Sequence, residues 1–262
     1  MLSAVAAVKT ILLYSIALLV SISFAQNSNL QRGDMHYELR AKDASGNMAK
    51  DKNIKEAIKY YRQALADPKA KETAAWKLLR AYYFLGCFTK LDFKDMQNIF
   101  EKAKDEGKNF FKIYPKNAEI AYWYSVNLAL WANVVNPLVV LSAGSIKEAK
   151  DMANMLIGQE SSNIEAAAYG YRILGRMHQK LPHVAFILNW VNKDSAEIYF
   201  KKSLELNPKD LGTHLFLAEL YVERGKKQKA EELLRPVIKT KPREEEFLED
   251  ERNLIKMWEL LK

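Results

Sequence analysis

Alanine recurs at a nearly fixed interval along this chain, and this repetition limits the fold more than any other feature. The residues concerned, which we call the alanine ladder, are Ala57, Ala103, Ala149, Ala196 and Ala230. The steps between them are 46, 46, 47 and 34 residues. Each alanine lies in an amphipathic run that ends at a breaker some way downstream: Pro68, Pro115, Ser161, Pro208 and Pro242. Periods of this length are typical of proteins built from stacked repeats.

The composition favours helices throughout. The chain has 262 residues, of which 49% are hydrophobic and 27% charged, with only 10 glycines and 7 prolines. This is the composition of a globular protein and not of a disordered one. Ala, Leu, Lys and Glu dominate, and alternating β-branched runs are nearly absent, so we expect an all-α fold.

The repeat predicts about five helical hairpins within a single repeat domain, residues 26–262, followed by a capping helix. The expected hairpins are 28–66, 71–113, 117–158, 163–206 and 210–240. The last helix, 244–261, begins acidic and carries an apolar stripe of Phe247, Leu254, Trp258 and Leu261. We expect it to close the exposed end of the array, as terminal elements of solenoids do; an acidic interaction tail is the alternative.

The last two hairpins carry the most specific pattern. Ala196, Phe200, Leu204 and Pro208 are followed 34 residues later by Ala230, Leu234, Ile238 and Pro242. These residues resemble the tetratricopeptide repeat, in which small side chains let the two helices of a hairpin approach and proline ends the unit. The resemblance implies a tetratricopeptide-like α-solenoid. HEAT-type repeats have periods of similar length, but the residues of this segment favour the tetratricopeptide pattern.

The longer upstream units contain extra residues. An aromatic residue precedes three of the ladder alanines by 27 positions: Trp76, Tyr122 and Tyr169. The corresponding gap in an ordinary tetratricopeptide unit is shorter, and we expect the connector between the two helices of each unit to hold the extra residues.

The N-terminus predicts export. Lys9 precedes an apolar run that reaches Phe24, and Ala25 and Gln26 flank an expected signal-peptidase cut, which makes residues 1–25 a signal peptide. The alternative is an uncleaved membrane anchor, although the run is short for a spanning helix. No cysteine follows the run, so a lipoprotein anchor would have no thiol to carry it.

The charge pattern does not favour a nucleic-acid partner, and the cysteine content does not allow an internal disulfide. The formal charge is +8, but lysine and glutamate alternate along the helices, which indicates solvated surfaces and not a nucleic-acid site. Cys87 is the single cysteine, so no internal disulfide can form. Its apolar neighbours favour a core position over a reactive thiol.

Known catalytic motifs are missing from the sequence. It contains no glycine-rich phosphate loop, no nucleophile elbow and no His-Glu-x-x-His motif. A proline separates His178 from His183, so a shared metal site is not expected. We therefore expect a protein that is not an enzyme and uses no cofactor.

Two connectors are unusually apolar. Residues 134–141 link the helices of the third unit and residues 184–190 link those of the fourth, whereas connectors usually face water. The candidate binding residues for a ligand or partner are Trp131, Val135, Leu138, Val140, Phe186, Leu188 and Trp190. Three interpretations are open: the connectors pack into the core, form a pocket for an apolar ligand, or form a protein-binding patch.

A closer resemblance begins at Ala167 and runs to Pro182. The string AAYGYRILGRMHQKLP is similar to a tetratricopeptide subgroup that contains the T component of bacterial TRAP transporters and the regulator-of-microtubule-dynamics proteins. Tyr122-Trp123 and the segment 217–221 are similar too. The resemblance implies a periplasmic protein that passes an apolar ligand to a solute-binding protein.

The sequence thus predicts an exported, non-enzymatic scaffold for a protein partner. An accessory transport protein that binds a small hydrophobic ligand is the alternative. Nucleic acid is not expected as a partner, and a membrane only if the N-terminal segment stays uncleaved.

Overall fold

A computed structural model describes residues 28–142, 144–184 and 188–262, and these residues are almost entirely helical. The helices of the N-terminal half are α1 (Asn29–Glu38), α2 (Asp51–Ala64), α3 (Lys71–Phe88), α4 (Phe93–Ile113), α5 (Ala118–Val134) and α6 (Pro137–Ser142). Those of the C-terminal half are α7 (Ser145–Ile157), α8 (Ile164–Lys180), α9 (Lys193–Leu206), α10 (Leu211–Glu223), α11 (Lys227–Leu234) and α12 (Phe247–Leu261). Short 3-10 turns occupy Leu39–Ala41 and Glu244–Glu246. The predicted all-α class is confirmed.

The helices pack as antiparallel hairpins stacked in chain order. The pairs within the described residues are α1 with α2, α3 with α4, α5 with α7, α8 with α9, and α10 with α11. The first helices also pack on one another, α3 on α5, α5 on α8 and α8 on α10. The predicted solenoid is therefore confirmed. Its first helices share one face, which we call the inner face.

Local sequence fixes where several of these helices begin. A side-chain oxygen at the position before the helix accepts a backbone N–H of the first turn and replaces a missing intrahelical partner. Ser28 does this in a reciprocal pair with Gln31. Single caps of the same kind are formed by Asp92, Asn117, Asn163, Asn192 and Asp210.

The alanine ladder lies where the helices of each hairpin cross. Ala57, Ala103, Ala196 and Ala230 are all 0% exposed, and Ala149 is partly buried against the core that contains Ala57 and Ala103. A larger side chain at these positions would separate the paired helices.

The extra residues of the second unit do not lie in its connector. Only residues 89–92 separate α3 from α4, whereas these helices have 18 and 21 residues, against 13 and 8 for α10 and α11. The expectation that connectors carry the insertion is therefore wrong for this unit. The run that ends α3 is continuously apolar and supports helix without interruption, so the extra residues extend both helices.

The C-terminal helix does more than close the last hairpin. Leu254 and Met257 of α12 join the hydrophobic core of the last hairpins, as a capping helix would. Leu248, nearer the start of α12, is 0% exposed and belongs to the separate core of the first three hairpins. Helix α12 therefore connects the two cores.

The buried face of α12 also differs from the predicted stripe. Phe247 and Trp258 are 43% and 51% exposed, so two of the four expected positions face solvent. Leu248, Leu254 and Met257 are buried instead. Helix α12 packs against two cores and not one, so its buried face differs from the face that a terminal cap would bury.

Candidate functional site

Trp131, the first of the candidate binding residues, lies in α5 and is buried inside the protein. It is 2% exposed and belongs to the core of the first three hairpins. Its indole N–H donates a hydrogen bond to the carboxylate of Glu101 on α4. The ammonium of Lys104 lies 4.5 Å from the centre of its ring. The indole is therefore covered by α4.

The third connector turns partly inward. Val135 and Val140 are partly buried and pack against the same core. Leu138 lies in the short helix α6, of which Val139 is 47% exposed. The backbone folds into a helical turn here because Pro137 is well suited to the first helical position.

The fourth connector packs against the third unit. Leu188 is 3% exposed, and Trp190 is half-buried with the ammonium of Lys150 of α7 4.0 Å from its ring centre. Trp190 also meets the ring of His178 edge-on at 5.0 Å. Phe186 lies outside the described residues, as do Ala25 and Gln26 at the expected cleavage site. Ligand binding by the connector residues stays a prediction.

A different set of side chains forms a pocket on the inner face. Its volume is about 290 Å³. The aromatic part of its wall comes from α3, α5 and α8 and consists of Trp76, Tyr122, Trp123 and Tyr169. Tyr122 and Tyr169 stack with ring centres 4.2 Å apart, and Tyr122 meets Trp123 edge-on at 4.9 Å. Successive first helices thus contribute a continuous aromatic surface.

An ion pair fixes the floor of this surface to the last hairpins. The guanidinium of Arg172 donates to both carboxylate oxygens of Asp210 at 2.9 and 2.8 Å, and it also donates to the hydroxyl of Tyr122. It lies 5.0 Å from the ring centre of Tyr169. Burial opposes ionisation of Asp210, but Arg172 and the hydroxyl of Thr213 outweigh it and lower the pKa of that carboxyl. Asp210 also caps α10.

The chain leading into α12 supplies the opposite wall. Arg243 and Glu246 line the pocket and pair with each other at 2.5 Å. Arg243 is further held by Asp250 at 2.8 Å, and Asp250 is 1% exposed. The pocket is therefore built by both halves of the chain and depends on the position of α12.

The remaining charges of the pocket are Arg80 and Lys209, which are basic, and Glu119 and Glu165, which are acidic. Glu119 and Glu165 occupy the first turns of α5 and α8. Removal from water and the charge of Glu165 together raise the pKa of Glu119. The hydroxyl of Tyr169 donates to Glu165 at 2.6 Å.

Sequence reasoning identified three of the pocket residues without recognising the pocket. Trp76, Tyr122 and Tyr169 marked the repeat because they recur at steps of 46 and 47 residues. Equal positions on stacked first helices must face the same side, so the same spacing could have indicated a shared surface. Arg243 and Glu246 could not be found this way, because nothing in the sequence shows that α12 returns to the inner face.

The described residues offer neither a metal site nor a membrane-spanning helix. In the part of the chain that the structure describes, no group of three or more His, Cys, Asp or Glu side chains could hold a metal ion. His178 instead accepts a hydrogen bond from the Asn192 N–H at 3.1 Å. None of the described helices combines the length and apolarity needed to cross a bilayer.

The C-terminal part of the chain is similar to a known repeat family. Residues 194–248 match the tetratricopeptide repeat family. The matched segment spans α9 to the start of α12, where the sequence pattern is also most regular. Among curated proteins, no sequence matched.

Several solved structures are similar to this chain at low sequence identity. The crystal structure of MamA has a TM-score of 0.43 and 15% identity, over 77% of this chain and 92% of that one. A monomeric mutant of IFIT1 with Gppp-AAAA gives a TM-score of 0.38 and 15% identity, over 88% of this chain and 57% of that one. The human IFIT1 dimer with m7Gppp-AAAA gives 0.35 and 16% identity, over 86% and 58%.

Proposed function

We propose that this protein is an exported, non-enzymatic scaffold that holds a segment of a protein partner against its inner face. The aromatic pocket of Trp76, Tyr122 and Tyr169 is the observation that carries this proposal. Solenoids of stacked hairpins bind their partners along extended concave surfaces, and half-buried aromatic side chains are the commonest anchors of such contacts.

The inner face also fits a partner segment in its chemistry. Its aromatic rings lie beside side chains of both charges, so apolar and charged groups of a bound segment would each meet a complementary neighbour. The apolar residues in and beside the connectors are less suited to this role, because Trp131 and Leu188 are almost fully buried.

Site-specific photo-crosslinking would test the inner face as the binding surface. A photoreactive phenylalanine analogue would replace Trp76 on the inner face, Val139 in the third connector or Ile198 on α9, the last two being 47% and 56% exposed. In cells that make the protein naturally, we expect a discrete crosslinked product from position 76. A product from position 139 or 198 with none from position 76 would contradict the proposal.

Export is a separate part of the proposal and has its own test. We expect mass spectrometry of the protein from its natural source to find a mature N-terminus at Gln26. A protein that retains residues 1–25 would favour the anchored form.

An accessory transport role is the second candidate, and the string from Ala167 to Pro182 together with the exposed Val139 supports it. In this role the protein would bind a small hydrophobic ligand and a periplasmic solute-binding protein. Co-purification with a solute-binding protein encoded beside it, and lipid or another apolar molecule in the solvent extract, are the expected results. An empty extract and no co-purification would argue against this role.

A further inference from the structure

Four charged side chains of the inner-face pocket form no salt bridge with another described residue. Arg172 is matched by Asp210, and Arg243 by Glu246 and Asp250. The four side chains without a salt bridge are Arg80, Lys209, Glu119 and Glu165. The positive charge of Arg80 opposes the rise in the pKa of Glu119, although the two groups form no salt bridge. The pocket therefore presents two basic and two acidic groups whose charges a bound zwitterion would pair.

Of the two basic groups, Arg80 is the one that is held in place by aromatic rings. Its guanidinium lies 4.0 Å from the ring centre of Tyr37 and 5.0 Å from that of Trp76, so aromatic rings fix its position. Its Nε is out of contact with water and has no hydrogen-bond partner within the described residues. Arginine N–H groups without an acceptor are costly when removed from water, and a carboxylate is the ligand that best matches the guanidinium.

Glu119 and Glu165 are the acidic groups of the pocket that would bind a cation. Both line the pocket, one on α5 and the other on the next first helix, α8. Removal from water and repulsion from Glu165 raise the pKa of Glu119, and the charge of Arg80 opposes this rise. An ammonium group between them would relieve this repulsion, and the faces of the neighbouring aromatic rings also attract cations.

We propose that this pocket binds a small zwitterion, namely an amino acid or a very short peptide with an apolar body. Glu119 and Glu165 bind its ammonium, Arg80 binds its carboxylate, and Trp76 and Tyr122 hold its apolar part. A volume of about 290 Å³ is at the lower limit for ligand pockets and fits a molecule of this size. The inference goes beyond the scaffold role and does not depend on it.

Calorimetric titration of the purified protein would test the ligand class. The probes are L-phenylalanine, phenylalanyl-glycine, phenethylamine and 3-phenylpropionate; the last two keep the ring but only one of the charges. We expect saturable binding of L-phenylalanine, of phenylalanyl-glycine, or of both, and about fivefold or greater loss of affinity for each single-charge probe. The tighter of the two zwitterions identifies a free amino acid or a peptide as the source. No saturable binding of either zwitterion at millimolar concentrations, or equal binding of the single-charge probes, would overturn the proposal.

Two variants assign the two ends of the ligand. Glu119→Gln should weaken the binding of the zwitterion and of phenethylamine and leave the binding of 3-phenylpropionate unchanged. Arg80→Gln should weaken the binding of 3-phenylpropionate and leave the binding of phenethylamine unchanged. Glu205→Gln and Arg235→Gln are the controls, because both side chains are exposed outside the pocket. Arg80 packs on aromatic rings, so if Arg80→Gln fails to fold, Glu119→Gln decides the test alone. Binding by Glu119→Gln equal to that by Glu205→Gln would overturn the assignment.

The two proposals on this face can fail separately. Crosslinking from position 76 without zwitterion binding would reject the ligand and leave the scaffold role. Zwitterion binding without any crosslinked product would reject the scaffold role and leave the ligand.

Discussion

At the scale of single residues, glycines on the first helices decide how closely the hairpins pack. Gly33 faces the ring of Tyr61, and Gly175 faces the ring of Phe200 from the paired helix α9. A Cβ at Gly175 would lie 2.5 Å from a carbon of the Phe200 ring, which real structures do not tolerate. Phe200 is fully buried and has no room to move away.

We therefore expect Gly175→Ala to lower the free energy of unfolding by about 1–3 kcal/mol, since overpacking forces strain on the core. Urea denaturation would measure the change. Gly158→Ala is the matched control, because the nearest atom to its Cβ is a carbonyl oxygen at an ordinary 3.4 Å. Equal stability of the two variants would show that the helices can separate without cost.

Asp210 is the second residue whose contribution can be tested, because it caps α10 and pairs with Arg172. The two side chains are only 10% and 14% exposed. Replacement by asparagine leaves Arg172 without its counter-ion, and we expect a loss of about 3 kcal/mol in the free energy of unfolding at pH 7.

The loss should depend on pH in a defined direction. Because the pKa of Asp210 is lowered in the folded protein, its stabilisation is present above the unfolded value of about 3.9 and is lost as the pH falls below it. The stability difference between wild type and Asp210→Asn should therefore shrink on acidification. Asp43→Asn, at an exposed position in the first connector, should show no such trend.

At the scale of elements, a neutral histidine joins the fourth connector to α8. The ring Nδ1 of His178 accepts the N–H of Asn192, the residue that caps α9. This hydrogen bond requires an unprotonated Nδ1. Burial and the nearby charge of Lys150 lower the pKa of His178, in agreement with a neutral ring.

Acid should therefore loosen this connector. A histidine with a lowered folded pKa stabilises the fold fully above its unfolded value of about 6.5 and loses this contribution as the pH falls below it. We expect the fluorescence of Trp190, taken as the difference between wild type and Trp190→Phe, to change in this range. The change should disappear in His178→Gln and persist in His183→Gln, whose side chain is more exposed. A change that survives in His178→Gln would assign it to another group.

At the scale of the whole molecule, α12 joins the two ends of the array. Arg40 pairs with Glu249 of α12 at 3.3 Å, and both side chains are largely buried. Arg252 of α12 donates to the carbonyl of Cys87 at 2.6 Å and lies 3.7 Å from the ring centre of Phe88. These contacts lie at the end of α3, the helix that the extra residues of the second unit lengthen.

The thiol of Cys87 can report whether α12 is docked. Burial raises its pKa to about 12, and Arg252 partly opposes this effect. If Arg252→Gln releases α12, the thiol becomes exposed and we expect its reaction with a disulfide reagent to be about tenfold faster. If the helix stays docked, loss of the positive charge should instead slow the reaction.

The control for this measurement is Arg235→Gln at an exposed position, which should react as the wild type does. A rate for Arg252→Gln at or below that of the control would show that Leu248 and Arg40 hold the helix without Arg252.

The sequence by itself determined the all-α solenoid, because the period of its alanines and the breakers after them are local properties that any stacked arrangement must satisfy. The recurrence of Trp76, Tyr122 and Tyr169 is also a property of the sequence, and equal positions in stacked repeats share a face. Two features depended on the tertiary structure: the burial of candidate binding residues such as Trp131, and the return of α12 to the first hairpins. Each feature depends on contacts between residues that lie far apart in the chain. In the second, Arg40 and Glu249 are separated by 209 residues. The pocket on the inner face exists only because that return places Arg243 and Glu246 opposite the aromatic rings.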